Sequence, residues 1–98
     1  MILEVATLQV KPGHETEFEL ALKEASRIIA SMKGYRGHDL QRCVEMPSRY
    51  ILFVRWDRLE DHTPGFRQSA EFQQWRSRLH HFYEHPPQVE HYEAVFVG

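Results

Sequence analysis

The stretch Arg49-Tyr50-Ile51-Leu52-Phe53-Val54-Arg55-Trp56 decides the fold. It is short, rich in β-branched and aromatic residues, and closed on both sides by polar segments, which is the pattern of a strand. One of its faces carries Tyr50, Leu52, Val54 and Trp56, and the other Ile51 and Phe53 with Arg55. A sheet wet on one side alternates apolar with polar; this strand is apolar on both.

Upstream, Met46-Pro47-Ser48 forms a tight connection, and residues 35–45 read as a partner strand with Gly37 as a bulge or close approach. Before it, Phe18, Ala21, Leu22, Ala25, Ile28, Ile29 and Met32 form one apolar helical stripe, which predicts a helix over 15–32 with Gly34 just past its end. Residues 2–10 read as the opening strand, turned at Pro12-Gly13. Downstream, residues 57–67 are irregular with room for one helical turn. Ser69 is an N-cap candidate for a helix carrying Phe72, Trp75, Leu79 and Phe82. Pro86-Pro87 ends that helix, and residues 89–97 read as the last strand. The order β-α-β-β-α-β predicts an α+β, ferredoxin-like split βαββαβ fold: a four-stranded antiparallel sheet with two helices on one face, in a single domain over 1–98.

Ninety-eight residues leave none to cover the second sheet face, so a homodimer packed through sheet faces is expected, against the simpler view that scattered exposed apolar residues are normal. Fourteen acidic residues against twelve basic ones argue against a nucleic-acid partner. No apolar run approaches the ~20 residues of a membrane span. The single cysteine, Cys43, excludes an internal disulfide and any multi-cysteine metal site; with no signal-peptide pattern at the start, a cytoplasmic location is expected.

The segment Val5-Ala6-Thr7-Leu8-Gln9-Val10-Lys11-Pro12-Gly13-His14-Glu15 resembles the opening strand and Lys-Pro-Gly-type turn of antibiotic biosynthesis monooxygenase domains. Phe66-Arg67-Gln68-Ser69-Ala70-Glu71-Phe72-Gln73-Gln74-Trp75 is similar to that family's Ser-x-x-Phe helix start following a strand-ending Trp, here Trp56. The resemblance implies a dimeric α+β barrel with a pocket between sheet and helices in each subunit. Among such domains some oxygenate polycyclic aromatics without metal or flavin, others degrade haem, and others act on quinones. The chain departs from two of these patterns. Ala6, Phe66 and Arg76 stand where the haem-degrading relatives carry Asn, Trp and His, and the chain has no asparagine for the polyketide-oxygenase constellation.

The resemblance implies a small cofactor-independent monooxygenase acting on a phenolic, quinone-like or polycyclic aromatic substrate. The alternative is a non-catalytic dimeric ligand-binding or stress-associated protein of the same fold, and a haem binder using another His is a third reading. A general base is needed to make an electron-rich carbanion before oxygen reacts, and His38 and Tyr92 are the candidates. Trp56, Phe66, Phe72 and Trp75 offer an aromatic wall for a flat ligand, though aromatics at helical spacing also make ordinary core. Arg76 could reach a ligand carboxylate or phenolate. His81 and His85 have helical i, i+4 spacing, but no Glu lies between them in metal-site order, and no metal or other cofactor is expected. His14 and His62 flank turns and read as surface residues. Cys43 beside Arg42 reads as a small buried hydrophobe rather than a nucleophile.

Overall fold

A computed structural model describes all residues, Met1–Gly98. The observed elements are β1 (Ile2–Gln9), α1 (Glu15–Ala30), β2 (Tyr35–Arg42), β3 (Arg49–Trp56), α2 (Ala70–Leu79) and β4 (Gln88–Tyr92), with a wide helical turn at Asp61–Phe66 and a tight one at His80–Phe82. The sheet order is β2-β3-β1-β4 and every pairing is antiparallel. This is the split βαββαβ arrangement, with the sheet open rather than closed on itself.

The central pair β1–β3 runs from Ile2 opposite Trp56 to Gln9 opposite Arg49. Side chains alternate strictly across it, so Glu4, Ala6, Leu8 and Val10 share the inner face with Tyr50, Leu52, Val54 and Trp56, all of them buried. Helix α1 covers one end of this face through Phe18, Leu22, Ala25 and Ile29, and the Phe18 and Tyr50 rings lie 4.9 Å apart. Its regular part ends at Ala30, two residues before the end of the apolar stripe at Met32. At Ser31 and Met32 the amides bond back three residues instead of four, so Met32 still packs while the helix tightens and stops.

Gly34 follows with φ +84°, and a Cβ there would strike the Asp61 carboxylate. The chain after α1 and the turn that carries Asp61 and His62 therefore pack together only because residue 34 has no side chain. Gly37 sits at a bulge opposite Arg55, whose guanidinium fills the space a Cβ would take.

The last strand is shorter than the sequence pattern suggests. Tyr92 already lies opposite Leu3, so past Glu93 β1 offers no further partner, and Val95, Phe96 and Val97 remain outside the sheet, each nearly fully exposed. The outer sheet face carries Leu3, Val5, Ile51 and Phe53 at its centre, all half-buried, so its apolar character is a feature of the folded chain. No helix is long and apolar enough to cross a membrane.

Helix α2 begins as its sequence requires: Ser69 is extended and its hydroxyl accepts from the Phe72 amide at 3.0 Å. Ser69→Ala is expected to cost about 1 kcal/mol of unfolding free energy in urea titrations, with the m-value unchanged.

Candidate functional site

Where α1 fills its end of the sheet, α2 does not. Between α2 and the inner face lies a cavity of about 550 Å³. Its floor is Glu4, Ala6 and Leu8 of β1 with Leu52 and Val89. Phe66, Phe72, Trp75 and Leu79 form the wall, and Arg67, Arg76, His80 and His85 stand around the rim. Phe66 meets Phe72 and Trp75 edge to face, with ring centroids 5.3 and 5.9 Å apart, which sets up the aromatic side.

At the inner end of the cavity sits a carboxyl on an otherwise apolar row. Glu4 is 5% exposed. Its Oε1 accepts from Trp56 Nε1 at 3.0 Å and lies 3.3 Å from His62 Nε2. Oε2 accepts no protein hydrogen bond, yet no fully buried side-chain polar atom lacks a partner, so Oε2 is the oxygen left open to the cavity. His62 is 2% exposed and stacks on the Trp56 indole, 5.4 Å between centroids at 24°. Its other nitrogen, Nδ1, lies 2.6 Å from His91 Nε2. His91, opposite Glu4 across β1–β4, is half-buried and does not line the cavity.

Burial dominates the proton affinities. It pushes the Glu4 carboxyl up to about 7, against the Trp56 hydrogen bond and the Arg67 charge, which both favour the anion. It pushes His62 down to about 3, and the charges of His91 and Arg67 act in the same direction. His91 is also lowered, first by burial and then by Arg67. The coherent state is a neutral acid against a neutral imidazole, so that no net charge rests in the apolar interior. Tyr83 also lines the cavity; its phenol makes no protein hydrogen bond, and burial raises its pKa, keeping it a neutral donor.

The structure brings Phe66, Phe72, Trp75 and Arg76 together around the cavity, as one aromatic and cationic lining. Trp56 is fully buried behind it and acts through Glu4 and His62 rather than by touching the space. The two base candidates from the sequence are elsewhere. Tyr92 ends β4 on the outer sheet face, 51% exposed, because it shares the parity of Leu3 and not of Glu4. His38 lies on the inner face between β2 and α1, outside the cavity lining, in a closed network. Ser26 Oγ donates to the Leu22 carbonyl at 2.8 Å, His38 Nε2 donates to Ser26 Oγ at 3.0 Å, and Tyr35 donates its hydroxyl proton to His38 Nδ1. Every polar group there is spent.

His62, expected at the surface, is among the most buried side chains, because the turn at Asp61–Phe66 folds it against Trp56. His80, His81 and His85 do not converge: no three His, Cys, Asp or Glu side chains come together as a metal-ligand set. Cys43 is half-buried, with its sulfur 3.7 Å from Glu45 Oε1.

The sequence model of the family described as antibiotic biosynthesis monooxygenase matches residues 1–78. The chain belongs to this family. It is 50% identical over 95 residues to the Bacillus subtilis protein YczJ, an uncharacterised protein, covering 97% of this chain and all of that one. Among solved structures, a Bordetella bronchiseptica protein assigned to the same family superposes with a TM-score of 0.94 at 39% identity, covering 97% of each chain. SnoaB from Streptomyces nogalater, a cofactor-independent oxygenase, shares the fold at TM-score 0.84 and 17% identity, covering 98% of this chain and 94% of that one.

Because Glu4 is held above its ordinary value, its burial costs stability as pH rises. The folded acid binds its proton more tightly than the unfolded one, so the contribution is intact below about 4.5 and lost by about 7. Glu4→Gln, which keeps an acceptor for Trp56, is expected to gain about 2–3 kcal/mol over wild type at pH 8 and nearly nothing at pH 4, read by chemical denaturation at both pH values.

Proposed function

We propose that the protein is an oxidoreductase, a cofactor-independent oxygenase whose substrate is a flat phenolic, quinone-like or polycyclic aromatic molecule held in the α2 cavity. The observation that carries this reading is one open carboxyl oxygen, Glu4 Oε2, at the inner end of a space walled by Phe66, Phe72 and Trp75. The aromatic side stacks a planar ring and excludes water, and Arg67 and Arg76 at the rim favour an anionic or phenolic edge. The family membership and the SnoaB fold support the reaction class.

The chemistry balances with oxygen as the only co-reactant. Glu4 takes a proton at Oε2 from an acidic CH2 beside the aromatic ring as it gives up the proton it holds to His62, and the resulting carbanion gives an electron to O2. Recombination forms a C–O bond and leaves a peroxide anion, which takes one proton back. Loss of water then leaves a carbonyl at that carbon. Tyr83 can donate a hydrogen bond to the oxyanion of the delocalised intermediate.

We place the working unit as a homodimer joined through the outer sheet faces. Leu3, Val5, Ile51 and Phe53 form an apolar centre there, and Val95, Phe96 and Val97, beyond the end of β4, add exposed apolar side chains. In sedimentation equilibrium at micromolar concentration the chain is expected at twice its monomer mass, and Phe53→Glu at the monomer mass. A wild-type monomer contradicts the assembly.

Oxygen uptake across anthrones and quinols, at high protein concentration, tests the activity. Wild type is expected to consume one O2 per carbonyl formed, and Glu4→Gln to lower kcat on the order of 100-fold. Ring binding without any oxygen uptake contradicts the catalytic reading and leaves a ligand-binding protein.

A further inference from the structure

We propose that Glu4, His62 and His91 form a proton relay that carries the substrate's proton out of the cavity to the edge of the sheet and returns it to the peroxide. The inference rests on the oxygenase reading for its substrate, but its geometry stands independently. The three groups are in line: cavity, Glu4 Oε2, Glu4 Oε1, then His62 Nε2 at 3.3 Å, His62 Nδ1, and His91 Nε2 at 2.6 Å. Glu4 and His62 both border the cavity, and Glu4 Oε2 is the atom of the two without a protein partner; His91, at the far end, lies outside the cavity and is half-buried.

Each step moves one proton and leaves no net charge on Glu4 or His62. At rest Glu4 carries its proton on Oε1 towards His62 Nε2, and His62 donates Nδ1–H to His91. When Oε2 takes the substrate proton, the Oε1 proton passes to His62 Nε2 and the Nδ1 proton passes to His91. The outcome is a substrate anion, a neutral Glu4, a neutral His62 and an imidazolium at the sheet edge. Running the chain backwards delivers that proton to the peroxide anion and restores the resting tautomers. A lone neutral carboxyl could not accept the substrate proton without becoming a buried cation; backed by an imidazole, it releases one proton as it takes another.

The surroundings fit a relay more than a fixed ion pair. Trp56 Nε1 holds Oε1 from β3, and Thr63 Oγ1 lies 3.4 Å from His62 Nδ1. Arg67 is the one cation that acts on all three groups. Asp61, next in sequence to His62, is turned away and accepts from the Arg58 amide; Glu90, next to His91, lies on the outer face with Tyr92. His62 and His91 are positioning residues, because they act through Glu4.

The test is the tautomeric state of His62 followed by 15N NMR through about pH 7, where Glu4 titrates. In wild type His62 is expected to stay neutral and to switch from the Nδ1–H to the Nε2–H form as Glu4 ionises, with His91 changing in step. In Glu4→Gln the switch is expected to vanish. In the oxygen-uptake assay His91→Gln, which keeps a hydrogen-bond partner for His62 but is not expected to carry a proton, is expected to lose about tenfold in kcat with KM unchanged, and to recover with added imidazole. A single His62 tautomer throughout overturns the relay, as does His91→Gln turning over at the wild-type rate. A clear tautomer switch in a protein that consumes no oxygen with any substrate supports the relay and refutes the oxygenase reading instead.

Discussion

The structure turns on one carboxyl placed on the inner face of the central strand. β1 pairs on both sides, and its inner row is Glu4, Ala6, Leu8 and Val10. A carboxyl there cannot reach water without unpairing the sheet, so it must be met by donors from within. Trp56 supplies one from the adjacent strand. His62 supplies the second group, but only because the turn at Asp61–Phe66 brings it in, and that turn packs against Gly34. A side chain at residue 34 would displace Asp61 and with it the partner of Glu4.

The two ends of the helical layer are built differently. Under α1, Phe18, Leu22, Ala25 and Ile29 close on Tyr50, Leu52 and Val54, and the polar cluster of Tyr35, His38 and Ser26 saturates itself. Under α2 the core is incomplete, and Glu4 and Tyr83 each keep a polar atom without a protein partner. The first end is closed by packing, and the second keeps unpartnered polar atoms beside an open space. Well-packed interiors leave few voids larger than a water molecule, so a space of this size sets the α2 end apart from the α1 end.

Much of the fold is legible in the residue pattern. The α1 stripe, the Ser69 cap, the bulge at Gly37 and the doubly apolar β3 all follow from periodicity and turn chemistry, which are local. The site is legible in part. The aromatic lining of Phe66, Phe72 and Trp75 follows from spacing, and Glu4 was in reach: parity puts it in the row of Ala6 and Leu8, and it is the one acid there. Parity also separates His91 from Tyr92 once the register of β4 is known, but that register depends on pairing with β1 across the whole chain. His62 has no local signal at all. In sequence it sits among turn residues, and it is buried by a tertiary contact with Trp56. The end of β4 was unreadable for a related reason: Ala94 to Val97 has strand character, and only the length of its partner strand stops it.

The most direct test of the cavity as the reaction site is a crystal structure with a hydroxyanthraquinone bound. The ring is expected between the Phe66–Trp75 wall and the floor of β1, with its hydroxyl donating a hydrogen bond to Glu4 Oε2. A ring bound outside this cavity, or inside it with Glu4 Oε2 untouched, would contradict that assignment.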